Sequence, residues 1–339
     1  MPVLPSHSLS LCDLAAHLLS ARGFAHKLDI SAVATKLGLS TSDAIPFGDD
    51  CAAIPDGSGY LLFAIEGFLN DFVAAEPYFA GYCGVMVNLS DIAAMGGRPI
   101  AVVDAIWSQG EERAATVLEG LRSASETYGV PIVGGHTNSR NSQSQLAVAV
   151  LGRANRLITS FGAQDGDVLL AAVDFRGGFR GQSLSWDASS GAPAERLRRD
   201  LEILPGLAES GLVTAGKDIS MAGLVGSAMM LVEASGRGAR IDVAAIPCPS
   251  GVALERFVLA FPSFGFVLTV KSNDADDVVA RFDSRGISCA AIGTIDNSHK
   301  IHLRRDSEEV ELWDFANPFI GGSAALDPDG QSSLWSRHA

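Results

Sequence analysis

The sequence predicts two domains of mixed helix and strand, of α+β or α/β type, each built on its own sheet. Three observations carry that prediction. At 339 residues the chain exceeds what one ordinary hydrophobic core serves. Apolar runs suited to strands alternate with helical patterns along its length. That alternation breaks around ANRLITSFGAQDGD (154–167), a polar, glycine-containing stretch that reads as the boundary between two similar halves.

Taken in order, Leu11, Leu14, Ala15, Leu18 and Leu19 fall at helical spacing, with Arg22-Gly23 as a stop. A second, short helix fits Ile30, Val33, Ala34 and Leu37, closed by Gly38. YLLFAI (60–65) is a continuous apolar run suited to a buried strand. Pro77 opens a long helical pattern that ends at Gly96-Gly97. AVVDAIW (101–107) reads as a strand, 111–128 as a helix, VPIVGG (130–135) as a strand running into a glycine turn, and QLAVAVLG (145–152) as a strand. The second half offers a strand at 168–173, an Arg/Gly loop (DFRGGFRGQS, 174–183), and helices near 194–210, 221–235 and 274–284. Its further strands fall near 239–242, 265–271, 288–293, 300–304 and 309–313. The resulting division is N-terminal helices at 1–43, a first domain at 44–155, a second at 156–315 and a loose tail at 316–339.

Composition narrows the function. A net charge of −14 argues against nucleic acid or an anionic membrane surface as the main partner. Anionic small molecules stay open, because a bound cation inverts the local field. Five scattered cysteines fit buried thiols of a reducing compartment better than a disulfide framework. The N-terminus has no basic n-region and no stretch approaches a membrane span. A soluble, cytoplasmic protein is expected.

Carboxylates gather at turns in three places. In IPFGDDCAAIPDG (45–57), Asp49 and Asp50 stand side by side, which is costly unless water or a cation relieves the repulsion. A solvated turn and a Mg²⁺ site both satisfy that demand. In NLSDIAAMGGRP (88–99), Asn88 and Asp91 share a helix face near its C-terminal end. A carboxylate there sits at the wrong dipole pole and needs a cation, either Arg98 or a metal. In GKDISMAG (216–223), Asp218 and Ser220 precede a helix and read equally well as an N-cap.

The order of these stretches carries a resemblance. GDDCA, VNLSDIAAMGGRP, IVGGHTN (132–138) and DIS…GL…EASG.GA.ID (218–242) together resemble the family of AIR synthase relatives, which includes thiamine-monophosphate kinase, selenophosphate synthetase and the hydrogenase-maturation dehydratase. The resemblance spans roughly residues 45–310. It implies an α+β, two-domain AIR synthase-like fold, with an N-terminal domain that pairs into a homodimeric β-barrel and a C-terminal α/β sandwich. It implies ATP and Mg²⁺ in an acidic cleft, with Asp49, Asp50 and Asp91 as metal ligands, and Glu66 and Asp218 as further candidates. Asn88, Gly134, Gly135, His136 and Thr137 fall at nucleotide-binding positions.

The departures bear on chemistry. Where thiamine-monophosphate kinase has Ser-Thr-Asp, this chain has Ala64, Ile65 and Glu66. The family's Gly-Gly-Asp-Thr appears as Gly134-Gly135-His136-Thr137, exchanging a carboxylate for an imidazole, a poorer partner for Mg²⁺. His136 reads either as a phosphate contact or as a turn histidine bonded to backbone. The second aspartate of Asp-Ile-Ser-Asp-Gly is Met221, expected to pack in the core. Arg176 and Arg180 in the Arg/Gly loop are candidate contacts to phosphate or to an anionic acceptor, or else belong to a surface loop. Cys12 and Lys27 read as a packed thiol and a solvated amine. The expected function is a Mg²⁺- and ATP-dependent phosphotransferase or synthase acting on an unidentified small-molecule acceptor. The alternative is an ATP-binding but catalytically weakened regulatory or assembly protein.

Overall fold

The computed structural model describes residues 9–40 and 45–321; the end of the N-terminal segment at 41–43 and most of the expected tail lie outside them. The chain forms two compact units. Among the described residues, one comprises those up to Asp49, Thr159–Ala188 and those from Leu212 onward; the other comprises Asp50–Ile158 and Ser189–Gly211. This division departs from the sequential one in two places. The N-terminal helices belong with the C-terminal half, and Ser189–Gly211 belongs with the N-terminal half.

The unit holding Asp50–Ile158 is built on five strands in the order Ala52–Asp56, Gly59–Phe68, Arg140–Ala154, Arg98–Gln109, Ile132–Asn138. All neighbours are antiparallel except the last pair. Two 18-residue helices, Pro77–Ala94 and Glu111–Tyr128, cover one face. Ile92 packs against Gly152, and Leu121 and Val148 close around Gly84. The strand Gly59–Phe68 therefore buries one face only: Leu62 is buried, whereas Phe63 is 50% and Ile65 65% exposed. The apolar run at 60–65 is not a strand covered on both sides, as its sequence suggests. Gly134 and Gly135 lie within a strand rather than in a turn.

Ser189–Gly211 is held to this unit by specific bonds. Ser189 Oγ lies 2.7 Å from both the Tyr82 and the Tyr128 hydroxyls, all three residues being buried. Arg198 donates to the carbonyls of Glu126 and Thr127, and Arg98 pairs with Glu202 and Glu209. The expected single helix at 194–210 is two, Ala194–Leu201 and Ile203–Ser210.

The other unit carries a seven-stranded sheet in the order Glu308–Asp314, Lys300–Arg305, Gly238–Asp242, Ser288–Asp296, Val168–Val173, Gly265–Val270, Ala215–Asp218. Only Gly238–Asp242 and Lys300–Arg305 run parallel. Its core gathers Leu11, Leu14 and Leu18 of the first helix, Phe24 of the second, and the wholly buried helix Gly223–Ala234. Ser10 caps the first helix, its Oγ accepting from Asp13 N at 3.1 Å. The first helix ends at Ser20, where extended Ala21 breaks the helical path, and the second, Arg22–Leu37, starts earlier than expected and takes in Gly23. The Arg/Gly loop folds into a small sheet of Gly178–Phe179, Ser185–Asp187 and Phe261–Pro262.

Candidate acidic site

Asp91 lies in the last turn of the helix Pro77–Ala94 and is 6% exposed. Asp50, at the entry to the strand Ala52–Asp56, offers a carboxylate oxygen within 4.8 Å of one from Asp91. Two carboxylates this close, one of them buried at the negative end of a helix, favour a cation between them. Arg98, the side chain that could have served, has its guanidinium committed to Glu209 and Glu202, with Nη1 2.7 Å from Glu209 Oε1 and Nε 2.9 Å from Glu202 Oε2. These bonds hold Glu209 below the usual carboxylate range.

One turn before Asp91, Asn88 is fully buried. Its Nδ2 donates to the Gly84 carbonyl at 2.7 Å, while its Oδ1 is buried without a hydrogen-bond partner among the described residues. An unmet buried acceptor is expensive, and an oxygen is what a hard cation or the hydrogen-bond donor of a ligand requires. The unit thus brings two carboxylates together and carries an unmet amide oxygen one helical turn before the buried one.

The remaining expected residues are placed as follows. Asp49 and Asp50 are adjacent in sequence, but Asp49 accepts from Ser160 N at 3.0 Å and from Ser160 Oγ at 2.8 Å. Glu66 is exposed near the end of its strand. Gly134, Gly135, His136 and Thr137 are exposed on the strand at the edge of the five-stranded sheet, with the His136 ring 5.9 Å from that of Trp107. Asp218, in the other unit, is buried at the end of its strand. Met221 is not a core residue: it is 39% exposed, beside Ser220, whose buried Oγ has no hydrogen-bond partner among the described residues. Arg176 is bonded through Nε to Asp174 at 2.7 Å and through Nη1 to the Arg285 carbonyl at 2.8 Å, and Arg180 pairs with Asp187. Both arginines thus have intramolecular acceptors.

Asp104 is the carboxylate that sequence reasoning missed. Strand alternation puts it on the helix-covered face with Val102 and Ile106. A Cβ on Gly135 would come within 2.6 Å of the Asp104 carbonyl and 2.7 Å of its Oδ2, so the missing side chain at 135 makes room for Asp104. Its signal was an acid interrupting the apolar run AVVDAIW. Burial pushes the Asp104 carboxyl above its ordinary range. A carboxyl raised on folding supports the fold while protonated and loses that support as pH rises through its folded value. Asp104→Asn is therefore expected to raise the melting temperature at about pH 8, with the gain fading toward about pH 4. Thermal melts of both proteins across that range check it.

Comparison with known proteins places this geometry in context. A model of the AIR synthase related protein, N-terminal domain, matches residues 48–154, and one of the corresponding C-terminal domain matches 164–306. The uncharacterized protein sll0787 of Synechocystis sp. is 46% identical over 317 residues, covering 92% of this chain and 98% of that protein. The uncharacterized protein MJ0640 of Methanocaldococcus jannaschii is 29% identical, covering 82% and 87%. Among solved structures, AaThiL complexed with AMPPCP and TMP superposes with a TM-score of 0.63 at 17% identity, covering 91% of this chain and all of that one. T. maritima PurL complexed with ATP gives 0.70 at 16% identity, over 96% of this chain. The present chain spans about half of that PurL chain, 54% of its length. At these identities the solved structures establish the two-domain fold alone. No helix among the described residues is long and apolar enough to cross a membrane.

Proposed function

Because the chain belongs to the AIR synthase related family, we propose that it binds ATP with Mg²⁺ and activates a small-molecule acceptor by phosphoryl transfer. The observation that carries this reading is the pairing of Asp50 with buried Asp91, one turn from the unmet Oδ1 of Asn88. The donor set fits the ion, since all three groups offer oxygen and two carry charge. Mg²⁺ held there would neutralise phosphate oxygens during transfer. The chain's own part is positional. Asp50 and Asp91 would hold the ion, the buried helix end fixes Asp91, and Asn88 keeps its amide oxygen from rotating, its Nδ2 being bonded to Gly84. Asp218 keeps the ligand role that its motif implies, with Glu66 and Asp49 as further candidates. The exposed segment Gly134–Thr137 is assigned nucleotide contacts. The names of the solved relatives, which carry ATP and AMPPCP, support a nucleotide here. Calorimetric titration of ATP with and without Mg²⁺ tests the reading, which fails if neither titration shows binding.

The exchange of two family carboxylates for His136 and an exposed Met221 favours a second reading, an ATP-binding partner with weakened turnover. Nucleotide bound without transfer to any acceptor in a screen would select it.

The reading includes a homodimer. The sheet face opposite the two long helices is apolar and open: Phe63 pairs with Leu151, and Ile65, Ala149 and Val103 form one row across it, with Val133 65% exposed beside them. A contiguous apolar patch of this kind marks an association surface. Ile65→Glu with Val133→Glu is expected to convert a dimer to monomers in sedimentation velocity, with the circular dichroism spectrum unchanged. A wild-type protein that sediments as a monomer removes the dimer from the proposal.

A further inference from the structure

Glu233 stands in the last turn of the buried helix Gly223–Ala234 and is 2% exposed. A carboxylate there meets two penalties, desolvation and the negative end of the helix dipole. Three successive backbone N–H groups answer them: Phe319 N donates to Oε1 at 2.7 Å, Ile320 N to Oε2 at 2.7 Å and Gly321 N to Oε1 at 3.3 Å. Such a run of amides is an anion nest, filled here by the chain's own side chain. If the segment left, it would strand a buried charge, so segment and carboxylate hold each other.

The contacts continue toward Met221. Phe319 is fully buried, its ring 5.6 Å from that of Phe24. The residue before Phe24, Gly23, lies so close to the loop after Asp218 that a Cβ would fall on the Met221 carbonyl oxygen. That loop is fixed by three bonds of its own: Ser220 N to Ser227 Oγ at 2.9 Å, Gly223 N to the Ser220 carbonyl at 2.8 Å and Leu224 N to the Val258 carbonyl at 3.0 Å. Phe319, Phe24 and Gly23 thus link Glu233 to the stretch bearing Asp218 and Ser220.

We infer that Phe319–Gly321 is a strap whose seating on Glu233 sets the conformation of the Asp218–Ala222 loop, which makes Glu233 a positioning residue for nucleotide binding. The structural half stands alone; the binding half rests on the function proposed above. The test is Glu233→Gln, with Phe319→Leu as a second variant should the first not fold. Amide exchange is followed at Ser220, Gly223 and Leu224, with Leu170 and Leu268 in the central strands of the same unit as references. Either variant is expected to speed exchange at the three loop amides about tenfold with the references unchanged, and to weaken Mg·ATP binding by about the same factor. Faster exchange at Phe319–Gly321 with unchanged loop amides overturns the proposal. So does an equal rise at the references, since the strap would then serve only the stability of the whole unit. Wild-type protein that binds no nucleotide overturns the function proposed above alone, and the exchange data still decide the strap.

Discussion

Asp91→Asn is expected to weaken ATP binding in the presence of Mg²⁺ by roughly 100-fold while leaving the protein at least as stable. The two halves of this expectation have one cause. Asp91 is a buried acid at the C-terminal end of a helix, within 4.8 Å of an oxygen of Asp50. Neutralising it removes the repulsion from Asp50 and an unfavourable dipole term, and an isosteric amide keeps the shape of the site. The same change removes one of the charges that would attract the ion. Arg98 is already committed to Glu202 and Glu209, so it is not a substitute cation whose release would blur the result. Calorimetry with Mg²⁺, together with a thermal melt, reads both quantities. A variant that binds as tightly as the wild type sinks the metal assignment. A variant that loses binding together with more than about 3 kcal/mol of stability makes Asp91 a structural residue.

Gly120→Ala is expected to be the most damaging small substitution in the unit containing it. Alanine normally gains about 1 kcal/mol over glycine inside a helix. Here the gain is overwhelmed, because the new Cβ would fall on the Tyr78 carbonyl oxygen and come within 2.8 Å of Tyr82 N. Gly81, on the facing helix, stands in the same relation to the Val117 carbonyl, so the two helices meet backbone to backbone at this crossing. Neither partner is a side-chain end that can swing aside. The helices must separate, at a net cost of about 2–4 kcal/mol. A melting temperature lower by about 5–15 °C should result. An unchanged melt would mean that the crossing yields freely.

Periodicity made much of this fold legible. The helices Pro77–Ala94 and Glu111–Tyr128 begin and end within a residue or two of where proline, glycine and the apolar stripe put them. The family motifs led to Asp50 and Asp91, and the structure brings that pair together. What escaped the sequence depends on partners distant along the chain. An apolar run looks alike whether one face or both are covered, so the openness of Phe63 and Ile65 could not be read from YLLFAI. Adjacent Asp49 and Asp50 look equivalent until Ser160, more than a hundred residues away, takes up one of them. The attachment of Ser189–Gly211 rests on Tyr82, Tyr128, Glu126 and Arg98, residues that no local pattern links to it. Met221 suggested the core by its chemistry, and the bend after Asp218 leaves it at the surface.

The way the two units share the chain sets the order in which a ribosome can finish them. Because Ser189–Gly211 belongs with Asp50–Ile158, the unit begun first in that stretch waits for Gly211 before its last helices exist. The other unit waits longer still. Its opening helix, with Leu11, Leu14 and Leu18, packs into the core that Leu312 and Phe319 complete. Nearly the whole chain must emerge before its apolar stripe is covered. Until then those leucines are exposed on the nascent chain, the condition under which holding factors act and premature association starts.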